Sequence, residues 1–458
     1  MSFLDLRAAI DALRASGDLV EITEPVSARH EVGGVLAAAS LLRVGARPRA
    51  VLFTDVDGKP VPVIGNVVYG REVLAMAMGV ETEELVDRFA DRVTAPIDPV
   101  MVDDAPLLEV TEQDVDLTKL LPVLTHYADD EGPYITTGMA SLRNPATGVV
   151  ERTICRMQLL GPDRISLGVV NPPMGDTYRQ YGRDVEMPVA VVIGLEPLTF
   201  VSAALPAPPG AEKMAYAGGL RGEPVELVAA PLTGLPVPAR AEFLLEGVLV
   251  PGEERADGPL GEVSGYSMVF SSIPTLQVRR VSHRRDPIYH ALLPTGPDGD
   301  LINGLVVEAT ILPQLRRVYS FARGVTFVPS TFGMSLVAQV APADKGRVRG
   351  LLYHLLSLER VKKVVVVSED IDPTDPYQVE WAVVTRAQPD EDLVVIEGLF
   401  AHPIDPSYHP GQRGSRVGID ATGFERIGDR TSARVPVEAA ARGKALWDRA
   451  AGRAGGAR

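Results

Sequence analysis

Apolar positions recur at helical spacing at the start of the chain, where Leu4, Leu6, Ile10 and Leu13 share one stripe. Ser2 stands where a capping hydroxyl is wanted, Asp5 follows three residues later, and Gly17 supplies a stop. Residues 19–22 read as a strand. Helical spacing over 31–43 and 71–93 alternates with strand-like runs at 50–53 and 61–67, which predicts a small α/β layer domain over 1–121.

From about residue 134 the period shortens. Strands are predicted at 135–142, 149–160, 164–170, 189–193, 225–229, 242–250, 276–281 and 288–293. The first two flank Arg143-Asn144-Pro145-Ala146-Thr147-Gly148, whose proline and glycine supply hairpin chemistry. The apolar stretch 188–206, interrupted by Glu196 and prolines, reads as consecutive buried strands. This predicts a β-rich, barrel-like middle domain over 122–300. Beyond 300, helices at 301–311, 345–358 and 378–385 alternate with strands within 325–340 and at 363–367 and 393–396. Val364 to Val367 are apolar throughout, which predicts a strand covered on both faces of a third, α/β domain over 301–436. A helix at 437–451, in the terminal segment 437–458, follows a Gly/Pro-rich loop and is expected to reach another domain or subunit.

Composition narrows the class. The chain has 458 residues, 46% hydrophobic and 23% charged, so several packed domains are expected. Sixty acidic against 45 basic residues give a formal charge of -15, which argues against nucleic acid as a partner. No membrane span or export signal is read in the sequence, and Cys155 is the sole cysteine, so a soluble cytoplasmic protein without a disulfide framework is expected.

Three places carry candidate chemistry. In Ala256-Asp257-Gly258-Pro259-Leu260-Gly261-Glu262 two acids flank a Gly-Pro-x-Gly turn, and a tight reversal there would bring both carboxylates to one cleft, one ionised and one kept protonated by burial. A solvated turn that happens to be acidic is the alternative. Arg156, on the largely apolar strand Glu151-Arg152-Thr153-Ile154-Cys155-Arg156-Met157, needs an anion when buried, either a substrate carboxylate or a structural acid. Glu212, opening a helical run after a proline-rich loop, either complements the helix dipole or binds a cation that bridges to a phosphate. Neither a Walker-type loop nor a GxGxxG after a strand is present.

The order and spacing of these pieces resemble the UbiD family of prenylated-flavin decarboxylases over about residues 20–430. The resemblance rests on Tyr134-Ile135-Thr136-Thr137-Gly138, Ile154-Cys155-Arg156-Met157, Glu212 with Ala217-Gly218, the Gly-Pro-x-Gly-Glu segment, Asp286-Pro287-Ile288, Asp370-Ile371-Asp372-Pro373 and Gly418-Ile419-Asp420. It implies an α/β and β multi-domain fold: an N-terminal α/β domain, a central flavin-reductase-like split β-barrel, and a C-terminal α/β domain with an exchanging terminal helix. It implies reversible non-oxidative decarboxylation of an aromatic, heteroaromatic or α,β-unsaturated acid, releasing CO2. The implied cofactor is prenylated FMN from a separate flavin prenyltransferase, with Mn2+ or Mg2+ and K+ at its phosphate, in a homodimer or a hexamer of dimers.

By the same resemblance Arg156, Asp257 and Glu262 form the catalytic trio, with Glu262 the proton donor. Thr136, Thr137, Thr153, Ile154, Cys155, Arg156, Met174, Glu212 and Arg416 would meet the cofactor, Glu151 and Glu212 a metal, and Val263, Ile302 and Asn303 the substrate. The chain departs from the family in four places. Asp257 replaces the more common glutamate, Glu151 an asparagine ligand, Met174 a histidine ligand and Arg416 a lysine. Thioether is a poor ligand for a hard divalent ion, so the metal site is in question. Two other functions fit parts of the pattern: a flavin-binding or assembly protein without activity, and an ordinary FMN oxidoreductase.

Overall fold

The computed structural model describes residues 2–40, 48–169, 172–205, 210–402, 404–408, 413–424, 433 and 435–455. The first helix is Leu6–Ser16, and its cap is Asp5, whose carboxylate accepts from the Ala8 N–H at 2.9 Å. Ser2, expected in that role, lies too far upstream and donates instead to Glu223 at 2.6 Å. Gly17 ends the helix in the left-handed region, φ 78°. The predicted helix 31–43 is Glu31–Ser40, with 41–43 outside the described residues. The predicted helix 71–93 breaks at Gly79 into Arg71–Met78 and Leu85–Val93.

The N-terminal sheet runs Leu19–Ile22, Ala50–Phe53, Val63–Gly65, Tyr289–His290. Its last strand comes from far along the chain, Tyr289 and His290 pairing parallel with Val63 and Ile64. The segment 288–293, expected in the middle domain, therefore belongs here.

The central sheet has the order Arg164–Ser166, Ser267–His283, Phe243–Gly261, Met187–Ile193, Met139–Arg143, Val150–Ile154, all antiparallel, with Val110–Thr111 added at the His283 end. Among the described residues its two outer strands do not pair, so the sheet is open and not a closed barrel. The long apolar run also differs from expectation: after Met187–Ile193 comes a helix, Pro197–Ala204, not a second strand. Glu196 starts it by accepting from the N–H groups of Leu198 and Thr199, and Pro197 suits the first helical position. Burial on all sides removes the polar face that would have marked a helix.

The last sheet has the order Ala322–Phe327, Ser335–Val340, Lys363–Ser368, Arg413–Asp420, Leu393–Phe400. Val364 and Val366 pack into the main core while Val365 and Val367 pack against Ile371 and Ala382, so both faces are covered as the sequence predicts. Helix Pro297–Val318 joins this sheet to the rest, with Leu305, Ala309 and Leu312 in the same core as Leu74 and Phe89. The terminal helix Val437–Gly455 leaves Trp447 72% exposed.

Candidate active site

Arg156 follows the edge strand Val150–Ile154, and its guanidinium grips both predicted acids. Nε donates to Asp257 Oδ1 at 2.7 Å, Nη2 lies 2.6 Å from the same oxygen, and Nη1 donates to Glu262 Oε1 at 2.7 Å. Nη2 also reaches the carbonyls of Asp257 and Met268, and the guanidinium lies over the Phe270 ring, 4.1 Å from its centre. These contacts lock the arginine in one pose.

The acids are aligned by an irregular strand, not by the tight reversal expected at Gly258-Pro259-Leu260-Gly261. That segment is the end of Phe243–Gly261, and the chain turns back only at Glu262 to Tyr266, where the Gly265 N–H meets Glu262 O at 2.9 Å. Residues five apart on a regular strand point to opposite faces. Here Asp257 opposes Phe270 and Leu260 opposes Met268, so one extra residue is accommodated and both acids turn toward Arg156. Gly258 sits at φ 103° within this bulge, where a Cβ would lie 2.5 Å from Met268 O.

The environments of the two acids differ. The Asp257 side chain is fully buried and its other oxygen, Oδ2, accepts from Ser166 Oγ at 2.6 Å, so both oxygens are satisfied. Glu262 is 22% exposed at its side chain, and burial raises its carboxyl above the usual range despite the pull of Arg156, with Asp257 adding a further push upward. Burial pushes the Cys155 thiol up to about 12, so it stays protonated and is no nucleophile at neutral pH.

The edge beside Arg156 is open. Val150–Ile154 pairs with Met139–Arg143 on one side and with no described strand on the other, and Thr153 and Ile154 are half-buried. Elsewhere, a concavity of about 90 Å³ lies among Asp5, Glu196, Arg221 and Arg240, but its arginines are already paired with Glu196 and Glu226.

Comparison with known proteins decides the family. Residues 10–93, 100–297 and 300–421 match in turn the N-terminal, Rift-related and C-terminal domains of 3-octaprenyl-4-hydroxybenzoate carboxy-lyase, UbiD. An anhydromevalonate phosphate decarboxylase of Methanosarcina mazei is 33% identical over 423 residues, 91% of this chain and 95% of that one. The chain belongs to the UbiD family. The UbiD-class enzyme HmfF of Pelotomaculum thermopropionicum, in complex with FMN, superposes with a TM-score of 0.89 at 29% identity, covering 96% of this chain and 98% of its own. An evolved dimeric form of HmfF in complex with prFMN gives 0.85 at 28%, covering 95% and 99%. The apo 3,4-dihydroxybenzoic acid decarboxylase of Klebsiella pneumoniae gives 0.86 at 27%, covering 96% and 99%.

Within this UbiD fold, several residues expected at the cofactor are engaged otherwise. Thr136 Oγ1 bonds the Leu292 backbone and Thr137 Oγ1 donates to His290 O, so both hydroxyls fasten the 289–293 segment. Arg416 is buried and donates to the carbonyls of Leu356, Leu358, Glu359 and Phe400. It caps the end of helix Lys345–Ser357. Met174 is 1% exposed and packs in the apolar cluster of Tyr178 and Met187.

The two acids expected at a metal are each engaged by other groups. Glu151 and Arg152 are successive strand residues and point to opposite faces. Glu212 pairs with Arg152 and caps its own helix through the Met214 N–H, while Glu151 Oε1 accepts from Asn144 and Thr177. Glu151 Oε2 is buried without a hydrogen-bond partner among the described residues, but Met174 offers only a thioether and Asp176 pairs with Arg179. Among the described residues no three His, Cys, Asp or Glu side chains converge, so this donor set does not fit a divalent ion.

Sequence reasoning missed Ser166 and Phe270, which complete the trio. A serine in a short strand and a phenylalanine in a mixed one carry no signal until the sheet order brings them beside Asp257 and Arg156. No helix among the described residues is long and apolar enough to cross a membrane.

Proposed function

We propose that this protein removes CO2 from an aromatic, heteroaromatic or α,β-unsaturated carboxylic acid, and adds it in reverse, with prenylated FMN lying along Thr153, Ile154 and Cys155 at the open strand edge. The observation that carries this reading is the pair of environments on one arginine: Asp257 saturated with donors and Glu262 held toward its protonated form. When bound, the prenylated flavin supplies an electron sink for breaking the C–CO2 bond. The chain's own residues orient the substrate and move the proton. Arg156, fixed by Asp257 and Phe270, presents the Nη1 N–H that Glu262 does not use to a substrate carboxylate. Glu262 delivers a proton from its carboxyl to the carbon left behind.

In this reading the open seven-stranded sheet is the split barrel of the cofactor domain, and the chain divides at 1–121, 122–300, 301–436 and 437–458, with strand Tyr289–His290 of the second segment lent to the sheet of the first. The exposed face of helix Val437–Gly455, with Leu446 and Trp447, suits exchange between protomers of a cytoplasmic homodimer or a larger ring of dimers. A separate flavin prenyltransferase supplies the cofactor.

The test is co-expression with that prenyltransferase. The purified protein should carry a flavin of prenylated mass and catalyse CO2 release or H/D exchange on an unsaturated acid. Unmodified FMN together with turnover of reduced nicotinamide would instead mark an oxidoreductase and overturn the proposal.

A further inference from the structure

Arg360 lies in the turn between helix Lys345–Ser357 and strand Lys363–Ser368, half-buried. Among the described residues it has no carboxylate within ion-pairing distance. Its Nη1 donates to Asn303 Oδ1 and sits 3.5 Å from Phe332 O, both neutral acceptors. Burial lowers the pKa of its guanidinium from the ordinary arginine value, with only Glu359 pulling the other way. A cation withdrawn from water without an anion is costly to keep, and an arginine's planar fork matches a carboxylate or a phosphate.

The surroundings fix this arginine in place without neutralising it. Arg416 holds the carbonyls of Leu358 and Glu359, the two residues that precede it. On the other side Asp300 accepts from the N–H groups of Ser330 and Phe332 at 2.7 and 2.8 Å. That loop is strained: Ser330 at φ 63° and Phe332 at φ 42° occupy the left-handed region. Such residues cost on the order of 1–3 kcal/mol each and cluster at ligand clamps. Gly333 completes the approach, since a Cβ there would lie 3.1 Å from Asn303 O and 3.6 Å from Arg360 Cδ.

Asn303 links the cluster to the proton donor. Its Nδ2 donates to Gly299 O at 2.7 Å, and a Cβ at Gly299 would lie 3.6 Å from Val263, the neighbour of Glu262. Glu262 and Arg360 thus flank the first turns of helix Pro297–Val318. His402, in the field of Arg360, is held neutral, its pKa lowered to about 4 chiefly by burial.

We propose that Arg360, presented by Asn303 and the Ser330–Gly333 loop, binds a second anionic group of the substrate. The substrate is then an unsaturated acid with one carboxylate at Arg156, which leaves as CO2, and a retained carboxylate or phosphate monoester at Arg360. This rests on the decarboxylase reading above.

The test titrates flavin-loaded wild type, R360M and R360K with three probes: an unsaturated monocarboxylate, the matching dicarboxylate, and the monocarboxylate bearing a phosphate ester. Wild type should bind one dianionic probe at least about tenfold more tightly than the monoanion. That ratio should collapse toward one in R360M and return in part in R360K, and the preferred probe names the second group. Equal affinity of wild type for all three probes overturns the proposal, and so does a loss in R360M that falls equally on all. Should R360M not fold, the wild-type ratio and R360K still decide. Turnover of the prenylated-flavin enzyme is scored separately. Turnover without dianion preference sinks only this inference, and dianion preference without turnover on any probe sinks only the decarboxylase reading.

Discussion

Glu262 accepts a hydrogen bond from Arg156 at 2.7 Å and is nevertheless held above the ordinary carboxylate range, because burial outweighs the arginine. A surface pair at this distance would shift the other way. This acid is therefore biased toward its protonated form beside a cation.

Replacing the donor should stop the chemistry without unfolding the protein. E262Q is expected to lose about 10²- to 10⁴-fold in CO2 release and in H/D exchange, with an unchanged melting temperature. In wild type the rate should fall as pH rises through the raised Glu262 pKa, since the ionised carboxylate has no proton to give. A rate that rises over that interval would contradict the assignment.

Among the described residues Ser166 Oγ is the one side-chain donor to Asp257 Oδ2. S166A leaves a buried carboxylate oxygen unpaired, at a cost of about 1–3 kcal/mol in urea unfolding, and loosens Arg156 so that kcat falls with it. Wild-type stability in S166A would show that the contact contributes nothing.

Arg416 separates a cap from a phosphate ligand. R416A should destabilise the C-terminal sheet by about 3 kcal/mol, because four carbonyls lose a charged donor. Affinity for FMN, read from flavin fluorescence, should stay within about twofold per folded protein. A selective loss of FMN binding would restore the phosphate role.

Chelation offers a check on the donor set. EDTA treatment should leave FMN retention unchanged. E212A should weaken the protein by about 3 kcal/mol through the unpaired, fully buried Arg152, the low end of the range because Glu212 is one-third exposed. Release of FMN by EDTA, reversed by Mn2+, would reveal a metal site that these residues do not suggest.

Asp298 is fully buried and accepts from the Val68 N–H, and burial pushes its carboxyl up to about 7. The folded state then holds the proton more tightly than the unfolded chain. Its stabilising contribution is complete below the ordinary aspartate range and is lost as pH rises through about 7. Unfolding free energy should fall between about pH 4 and about pH 7, by up to about 1.4 kcal/mol per pH unit, and level off above that. D298N should flatten that slope, and an identical slope in D298N would rule Asp298 out.

Much of this was legible in the sequence. An arginine on an apolar strand must find an anion, and two acids flank a glycine- and proline-containing segment, but it was the resemblance to the family that grouped Arg156, Asp257 and Glu262 before their contacts were visible. The bulge that aligns the acids could not, because register shifts leave no mark on residue periodicity. Strand Arg413–Asp420 went unread because its glycines and arginines hide the alternation, and Arg416 was placed at the phosphate from its position in the family pattern. Helix Pro197–Ala204 was taken for a strand because burial on every side erased its period. Arg360 was silent for a further reason: an unpaired cation is recognised only by what does not surround it.

The parallel pairing of Tyr289 and His290 with Val63 and Ile64 ties the first hundred residues to the end of the middle segment. A fragment stopped near residue 121 would carry a sheet missing its outer member, with the backbone of Val63–Gly65 bared for pairing with other chains. Chimeras that exchange the front section between relatives should therefore carry the 289–290 stretch with it, because nearness in space, not order of synthesis, defines the unit.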